Sequence, residues 1–124
     1  MVNKTAVFEA MLHAGGWLST LPETVRRAVF EAARVRTVAP GASLFEQDGP
    51  PTGLHGVFSG DIRVLGHSRD GRALIIGVIH PGEWVGYLSC LDGLSHAYSG
   101  IARHGARTLS LAPADVARIF ERDV

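Results

Sequence analysis

The sequence predicts a mainly β protein, a sandwich or barrel of short strands with short α-helices at both ends. After Arg34 the spacing of apolar residues changes from a helical to a strand-like period. The strand-like segments are short, and clusters of Gly, Pro, Asp and Ser separate them. With 124 residues, of which 46% are hydrophobic and 19% charged, the chain is long and apolar enough to form one domain around a core.

Two helices are predicted before the strands. The first covers Thr5 to His13 and ends at Gly15-Gly16. The second begins near Pro22, a residue suited to a first helical turn. The apolar residues that share one side of each helix are Val7, Met11 and Leu12 in the first and Val25, Val29, Phe30 and Ala33 in the second. Glu23, Arg26 and Arg27 are expected to face water.

Eight short strands follow, and their regular spacing favours a sandwich or barrel over a parallel sheet. They are predicted at Val35–Val38, Ser43–Glu46, Leu54–Phe58, Ile62–Gly66, Ala73–Ile79, Glu83–Val85, Ala97–Ala102 and Arg107–Leu111. A last helix begins at Pro113 and presents Val116, Ile119 and Phe120 on one face. The predicted single domain, 1–124, therefore has helices at about 5–34, strands at about 35–112 and the start of C-terminal helices at 113–124.

Charge and cysteine content exclude several kinds of function. The formal net charge is zero and the basic residues are scattered, so we expect no direct contact of this chain with nucleic acid. A single cysteine, Cys90, excludes an internal disulfide and a multi-cysteine metal centre. The longest strongly apolar run, 73–79, is too short to cross a bilayer, and the N-terminus does not resemble a secretory signal. A cytoplasmic protein without membrane contact is expected.

Six glycines occupy predicted turns or strand ends, where each supplies a positive φ or a close backbone approach. They are Gly41, Gly49, Gly60, Gly71, Gly82 and Gly86. With their neighbours they form the motifs Pro40-Gly41-Ala42-Ser43-Leu44-Phe45, Val57-Phe58-Ser59-Gly60, Asp70-Gly71-Arg72, His80-Pro81-Gly82-Glu83-Trp84-Val85-Gly86 and Leu91-Asp92-Gly93.

This ordered series, from about Gly16 to Phe120, resembles the sensor domain of the CRP/FNR family of bacterial transcription regulators. The resemblance implies a cyclic-nucleotide-binding-like double-stranded β-helix (jelly roll) with short flanking α-helices. It also implies a non-enzymatic, effector-sensing role. Regulators of this family continue into a dimerisation helix and a winged helix-turn-helix that binds DNA, and neither is present in this sequence. We therefore expect an excised sensor domain or a stand-alone module, and a homodimer in the full-length protein.

The segment from Gly82 to Ser99, here called the cassette, corresponds to the ligand-binding segment of the family. In members that bind cAMP, a helix N-terminus and an Arg hold the cyclic phosphate, a Ser or Thr follows that Arg, and a Glu after the Gly binds the ribose. By resemblance the Gly is Gly86 and the short helix is Leu88–Leu91. The Glu position holds Tyr87, the Arg position holds His96, and the hydroxyl position holds Ala97. The candidate ligand-binding residues are Gly86, Tyr87, Leu88, Ser89, His96, Ala97 and Tyr98.

These substitutions predict that cAMP binds poorly. Each lost charge-assisted hydrogen bond is worth about 1.5–3 kcal/mol, so two or three losses weaken binding by about two to four powers of ten or more. The rings of Tyr87 and Tyr98 can fill the space of a nucleotide, as in the oxygen-sensing FNR branch. The N-terminal cysteine cluster of that branch is missing here, which excludes its iron–sulfur sensor. The small-molecule effector stays unknown at this point.

Other functions remain open as alternatives. Haem could be held by His80, Cys90 or His96, although we favour the simpler interpretation of these residues as a strand end, a buried apolar position and an exposed loop. A cupin-like metalloenzyme needs closely spaced histidines, whereas the six here stand apart. Nothing near Cys90 orients a base for nucleophilic catalysis. A module that binds no small molecule and acts through protein contacts is a further alternative. We expect no cofactor, no metal and no catalytic residue, and we expect Trp17 and Trp84 in the core or at its rim.

Overall fold

A computed structural model describes residues 3–86 and 98–120. Its helices are α1 (Lys4–His13), a 3-10 helix (Trp17–Thr20), α2 (Glu23–Ala32) and α3 (Pro113–Phe120). Its strands are β1 (Arg34–Val38), β2 (Ala42–Phe45), β3 (Leu54–Gly60), β4 (Ile62–His67), β5 (Ala73–Ile79), β6 (Trp84–Val85), β7 (Ser99–Ala102) and β8 (Ala106–Leu111). The predicted mainly β architecture is confirmed.

The strands form two antiparallel sheets of four strands each. The first sheet has the order β1-β8-β3-β6 and the second the order β2-β7-β4-β5. Most strands adjacent in sequence lie in different sheets, as β1 and β2 do and as β3 and β4 do. The exception is the pair β4 and β5, which are neighbours in the second sheet. The sharp link between β3 and β4 uses Gly60, whose φ is +76° and whose position would bring a Cβ to 2.3 Å from the carbonyl oxygen of Gly105.

The core has two clusters, and the side chains of β3 point alternately into one and the other. Leu54 belongs to a cluster that joins the first sheet to the helices, and Val57 belongs to a cluster between the two sheets. The buried members of the helix-side cluster are Val7, Phe8, Met11, Leu18, Val29, Ala33, Leu54, Leu109, Leu111, Val116 and Ile119. Those of the inter-sheet cluster are Val38, Leu44, Phe45, Val57, Ile62, Ala102 and Ala106. Because neighbouring residues of a strand point to opposite faces, one central strand serves both clusters.

The helices differ from the prediction in three details. Pro22 is the N-cap of α2 rather than part of its first turn, because its ψ of 151° is extended. The 3-10 helix was not predicted, since four residues are too few to show a helical period. Phe8, absent from the predicted stripe of α1, is buried and meets Phe30 edge-on with the ring centroids 5.2 Å apart.

The turn glycines behave as predicted. Gly41, Gly60, Gly71, Gly82 and Gly86 have positive φ, whereas Gly49 meets the requirement by close approach, with a Cβ at its position 3.0 Å from the carbonyl oxygen of Glu46. Across the described part of the chain, every helix is too short or too polar to cross a membrane.

Candidate functional site

The structure describes two of the seven candidate ligand-binding residues, Gly86 and Tyr98. The other five, Tyr87, Leu88, Ser89, His96 and Ala97, lie outside the described residues, as do Cys90 and the cassette helix expected at Leu88–Leu91. The described parts of the site are therefore the two ends of the cassette and the strands that hold them.

The first end of the cassette is fixed by Gly86, directly after β6. Its φ is +102°, and a Cβ there would lie 2.2 Å from the carbonyl oxygen of Gly53. Both features exclude a side chain, because L residues avoid this φ and the backbone of Gly53 leaves no space. Strand β6 pairs with β3 through Val85 opposite His55. The cassette thus begins at the edge of the first sheet.

The second end of the cassette is fixed in the other sheet. Tyr98 precedes β7, and the buried Ser99 accepts a hydrogen bond from the backbone N–H of Gln47 at 2.9 Å. A Cβ at Gly66 would lie 3.6 Å from Cδ1 of Tyr98 and 3.3 Å from Cδ1 of Ile76, so these two side chains share one face of the sheet. The segment 87–97 therefore connects the two sheets.

An apolar, solvent-accessible wall stands beside this second end. Leu74 lies opposite Gly66 in the β4–β5 ladder and so points to the face occupied by Tyr98 and Ile76. Leu74 is 67% exposed, Ile76 54% and Tyr98 45%. The absence of a side chain at Gly66 leaves room for Ile76, because a Cβ there would lie only 3.3 Å from Cδ1 of Ile76. This wall can contact the flat or apolar part of a ligand, and its one polar group is the phenol of Tyr98.

A buried polar network lies next to the first end. His55 is 1% exposed, with Nδ1 2.8 Å from Oγ of Ser110 and Nε2 3.0 Å from Oγ1 of Thr52. Oγ of Ser110 lies 2.7 Å from Oγ1 of Thr108. A neutral imidazole has one donor and one acceptor nitrogen, and hydroxyls can serve both. Sequence reasoning missed this network. The sequence offers one indication of it: His55 is two residues before the inward-facing Val57 in β3, so both side chains point to the same face of the strand.

Trp84, two residues before Gly86, joins the cassette to the helices. Its ring centroid lies 5.1 Å from that of Trp17, which in turn lies 5.6 Å from that of Phe120 in α3. A Cβ at Gly56 would lie 2.7 Å from the Trp84 ring. Both tryptophans are partly buried against the helix-side cluster, as predicted.

The described residues do not assemble a metal centre. Within 3–86 and 98–120, no group of three or more His, Cys, Asp or Glu side chains is placed to hold a metal ion. His80, one of the haem candidates, is exposed in the turn after β5, where its backbone N–H donates to Oε1 of Glu83 at 2.7 Å. The other two candidates, Cys90 and His96, lie outside the described residues.

The turn between β4 and β5 is charged and exposed. Two hydrogen bonds lower the pKa of Asp70 below its ordinary value of 3.8. The larger effect comes from the Ser68 hydroxyl and the smaller from the backbone of Arg72. The guanidinium Nε of Arg72 lies 3.8 Å from the other carboxylate oxygen of Asp70. This turn connects β4 to the first residue of the apolar strand β5.

Residues 35–123 match the model of the cyclic nucleotide-binding domain family. Among solved structures, the chain is similar to the catabolite activator protein of Thermus thermophilus, with 25% identity and a TM-score of 0.72 over 91% of this chain and 50% of that one. It is also similar to the N-terminal domain of a transcriptional regulator from Streptomyces coelicolor A3(2), with 24% identity and a TM-score of 0.74 over 86% and 76% of the two chains.

A third similar structure belongs to a different kind of protein. It is the regulatory subunit of a cAMP-independent protein kinase A from Trypanosoma cruzi bound to guanosine, with 15% identity and a TM-score of 0.83 over 96% of this chain and 42% of that one. No curated protein matches the sequence. The chain spans about half the length of several of the structures it resembles.

Proposed function

The chain belongs to the family of cyclic nucleotide-binding domains, and from this premise we propose that it is the effector-sensing domain of a CRP/FNR-like transcription regulator. One observation supports the proposal: the segment that corresponds to the family's ligand segment is flanked by residues held in different sheets. Gly86 fixes the start of the segment on the first sheet, and Ser99 fixes its end on the second. Bacterial regulators of transcription are among the structures most similar to the chain.

We propose further that the effector is not cAMP. The residues that the family uses for the cyclic phosphate and the ribose correspond here to Tyr87, His96 and Ala97. None of them carries a fixed charge at pH 7, because the ordinary pKa of histidine is about 6.5. The expected loss is about two to four powers of ten in affinity.

The described surroundings of the cassette favour a planar ligand with less negative charge than cAMP. The wall of Leu74, Ile76 and Tyr98 offers apolar contact and one aromatic ring, and none of these three side chains is cationic. The guanosine-bound relative supports this class, because guanosine has a base and a ribose but no phosphate. A nucleoside-like effector is therefore the first class to test.

DNA recognition, in this proposal, belongs to another part of the regulator. The chain has no net charge, and phosphate binding requires a basic surface. Two similar structures are transcription regulators, and the chain spans half the length of one of them. Effector binding would act on the DNA-binding part through dimeric contacts outside this chain. No step of chemical catalysis is part of this role.

Calorimetry with cAMP and guanosine on four proteins tests the proposal: the wild type, the triple variant Tyr87→Glu, His96→Arg, Ala97→Ser, the single variant Tyr98→Ala and the control His104→Arg. His104 is exposed in the turn between β7 and β8, so its substitution adds the same charge away from the cassette. We expect cAMP to bind the wild type and the control more weakly than about 100 µM, and the triple variant at least tenfold more tightly.

Guanosine gives the complementary readout, because it lacks the group that the substituted arginine binds. We expect measurable guanosine binding by the wild type and at least a fivefold loss in Tyr98→Ala. Micromolar cAMP binding by the wild type would contradict the argument about the cassette. Equal guanosine binding by the wild type and Tyr98→Ala would contradict the role of the apolar wall.

A further inference from the structure

Gln47, the second residue after β2, connects three strands of the second sheet at the end where the cassette joins it. In this sheet β7 lies between β2 and β4, and its first residue, Ser99, lies opposite Leu65 of β4. Gln47 reaches across the end of β7 to β4. Its backbone N–H donates to Oγ of the buried Ser99 at 2.9 Å, and its side chain makes two hydrogen bonds to the backbone of His67.

The side-chain amide of Gln47 imitates a peptide group of a neighbouring strand. Its Oε1 accepts from the backbone N–H of His67 at 2.9 Å, and its Nε2 donates to the carbonyl oxygen of the same residue at 3.4 Å. A residue paired in an antiparallel ladder offers the same combination of one acceptor and one donor. The described ladder of β4 with β7 runs as far as the pair Leu65–Ser99, and in its register the position opposite His67 belongs to the cassette. The amide of Gln47 therefore binds both groups of His67 through which β4 could extend this ladder.

The turn that follows β2 fixes the backbone from which Gln47 reaches β4. The backbone N–H of Gly49 donates to the carbonyl oxygen of Glu46 at 3.0 Å, so Gln47 and Asp48 are the two central residues of a tight turn. Asp48 has a φ of +64°, the only positive value among non-glycine residues in the described ranges. A non-glycine residue in this conformation is uncommon and strained, and such strain persists where the surrounding contacts fix it. Gln47 is held by its own turn as well as by its three hydrogen bonds.

Both residues that Gln47 binds are neighbours of the contact made by Tyr98. Ser99 follows Tyr98 in the chain, and His67 follows Gly66, where a Cβ would lie 3.6 Å from Cδ1 of Tyr98. Because Tyr98 is 45% exposed, packing restrains its ring on one side only. The place of this ring on the apolar wall therefore depends on the backbone at the two residues that Gln47 holds.

We propose that Gln47 is a positioning residue of the effector site: it ends the β4–β7 ladder and thereby holds Tyr98 over Gly66, where the cassette joins the second sheet. Gln47 acts through Tyr98 and needs no contact with the effector. Its influence on effector binding rests on the function proposed above, whereas its influence on the tyrosine ring does not. Since the hydrogen bonds of the amide hold His67, a side chain of equal length without them cannot replace Gln47.

Fluorine NMR of protein labelled with meta-fluorotyrosine tests the position of the ring. The chain has two tyrosines, so a Tyr87→Phe background leaves Tyr98 as the single signal. Gln47→Met keeps the length of the side chain and removes both of its hydrogen bonds, so we expect the signal to move towards that of free fluorotyrosine. Gln47→Glu keeps the acceptor for the N–H of His67, and its signal should lie between those of Gln47→Met and the parent. Glu46→Ala, an exposed substitution in the same turn, should leave the signal unchanged.

Calorimetry with guanosine tests the consequence for binding, on variants whose cooperative melting shows that they are folded. We expect Gln47→Met to weaken guanosine binding about threefold. Added to Tyr98→Ala, it should have no further effect, because both changes remove the same contact. An unmoved fluorine signal in Gln47→Met, an equal shift in Glu46→Ala, or additive losses in the double variant would overturn the proposal. If guanosine does not bind the wild type, the function proposed above fails, while the fluorine signal still decides the role of Gln47.

Discussion

Removal of the Ser110 hydroxyl is the sharpest test of the buried polar network. The Oγ atom of Ser110 lies 2.8 Å from Nδ1 of His55 and 2.7 Å from Oγ1 of Thr108, and His55 and Thr108 are both fully buried. Ser110→Ala takes this partner from both groups without changing the strand. A buried polar group that loses its partner costs about 1–3 kcal/mol. Since two groups are affected and hydroxyls can reorient, we expect about 2–4 kcal/mol of lost stability.

Urea unfolding followed by tryptophan fluorescence measures this loss as a lower midpoint at an unchanged slope. The control is Ser19→Ala, where an exposed hydroxyl donates to the carbonyl of Gly16 at 2.7 Å, and where we expect less than about 0.5 kcal/mol. Combining Ser110→Ala with Thr108→Val should cost less than the sum of the two, because they share one contact. Equal effects of Ser110→Ala and Ser19→Ala would refute the reasoning that burial makes this network important.

Two further predictions concern backbone geometry and a carboxylate. Gly86→Ala should destabilise the fold by about 1–3 kcal/mol more than Gly71→Ala in urea unfolding: both glycines have positive φ, but a Cβ at Gly71 meets no atom within 4 Å. Equal losses would contradict the steric role of Gly53. Ser68→Ala should raise the pKa of Asp70 towards 3.8 in an NMR titration of its carboxyl carbon. Because the folded pKa is lowered, this carboxylate favours the folded state above its ordinary pKa and loses that contribution as pH falls through the folded value; an unchanged titration would rule out the hydrogen bond as the main cause.

The strands and turns were readable from the sequence because they depend on local rules. Turn glycines fix where a strand ends, and the predicted strand boundaries agree with the structure to within one or two residues at their described ends. The pairing of β1 with β8 was not readable, since it joins segments that are far apart along the chain. The spacing of apolar residues and the residues that form turns depend on the local sequence. The pairing of strands across a sheet does not, because it depends on residues far apart along the chain.

The exposure of β5 was also beyond sequence reasoning. A continuous apolar run is typical of a strand buried on both faces, yet here the run lies at an edge. The polar network around His55 was missed because its partners come from the loop before β3 and from β8. Of the candidate site, the positive φ expected at Gly86 is found in the structure, and its role in ligand binding stays a prediction. The contacts proposed for Tyr87, His96 and Ala97 stay predictions.

The contact between Trp17 and Trp84 gives the protein an optical signal of its own. Two indoles with centroids 5.1 Å apart and ring planes inclined by 59° couple their electronic transitions, because the transition dipoles are close and not parallel. Such a pair produces a circular-dichroism band of two opposite signs, whose amplitude changes with the angle between the rings. Since Trp84 lies near the start of the cassette and Trp17 belongs to the N-terminal helical region, a displacement of either ring would change this signal without any attached dye.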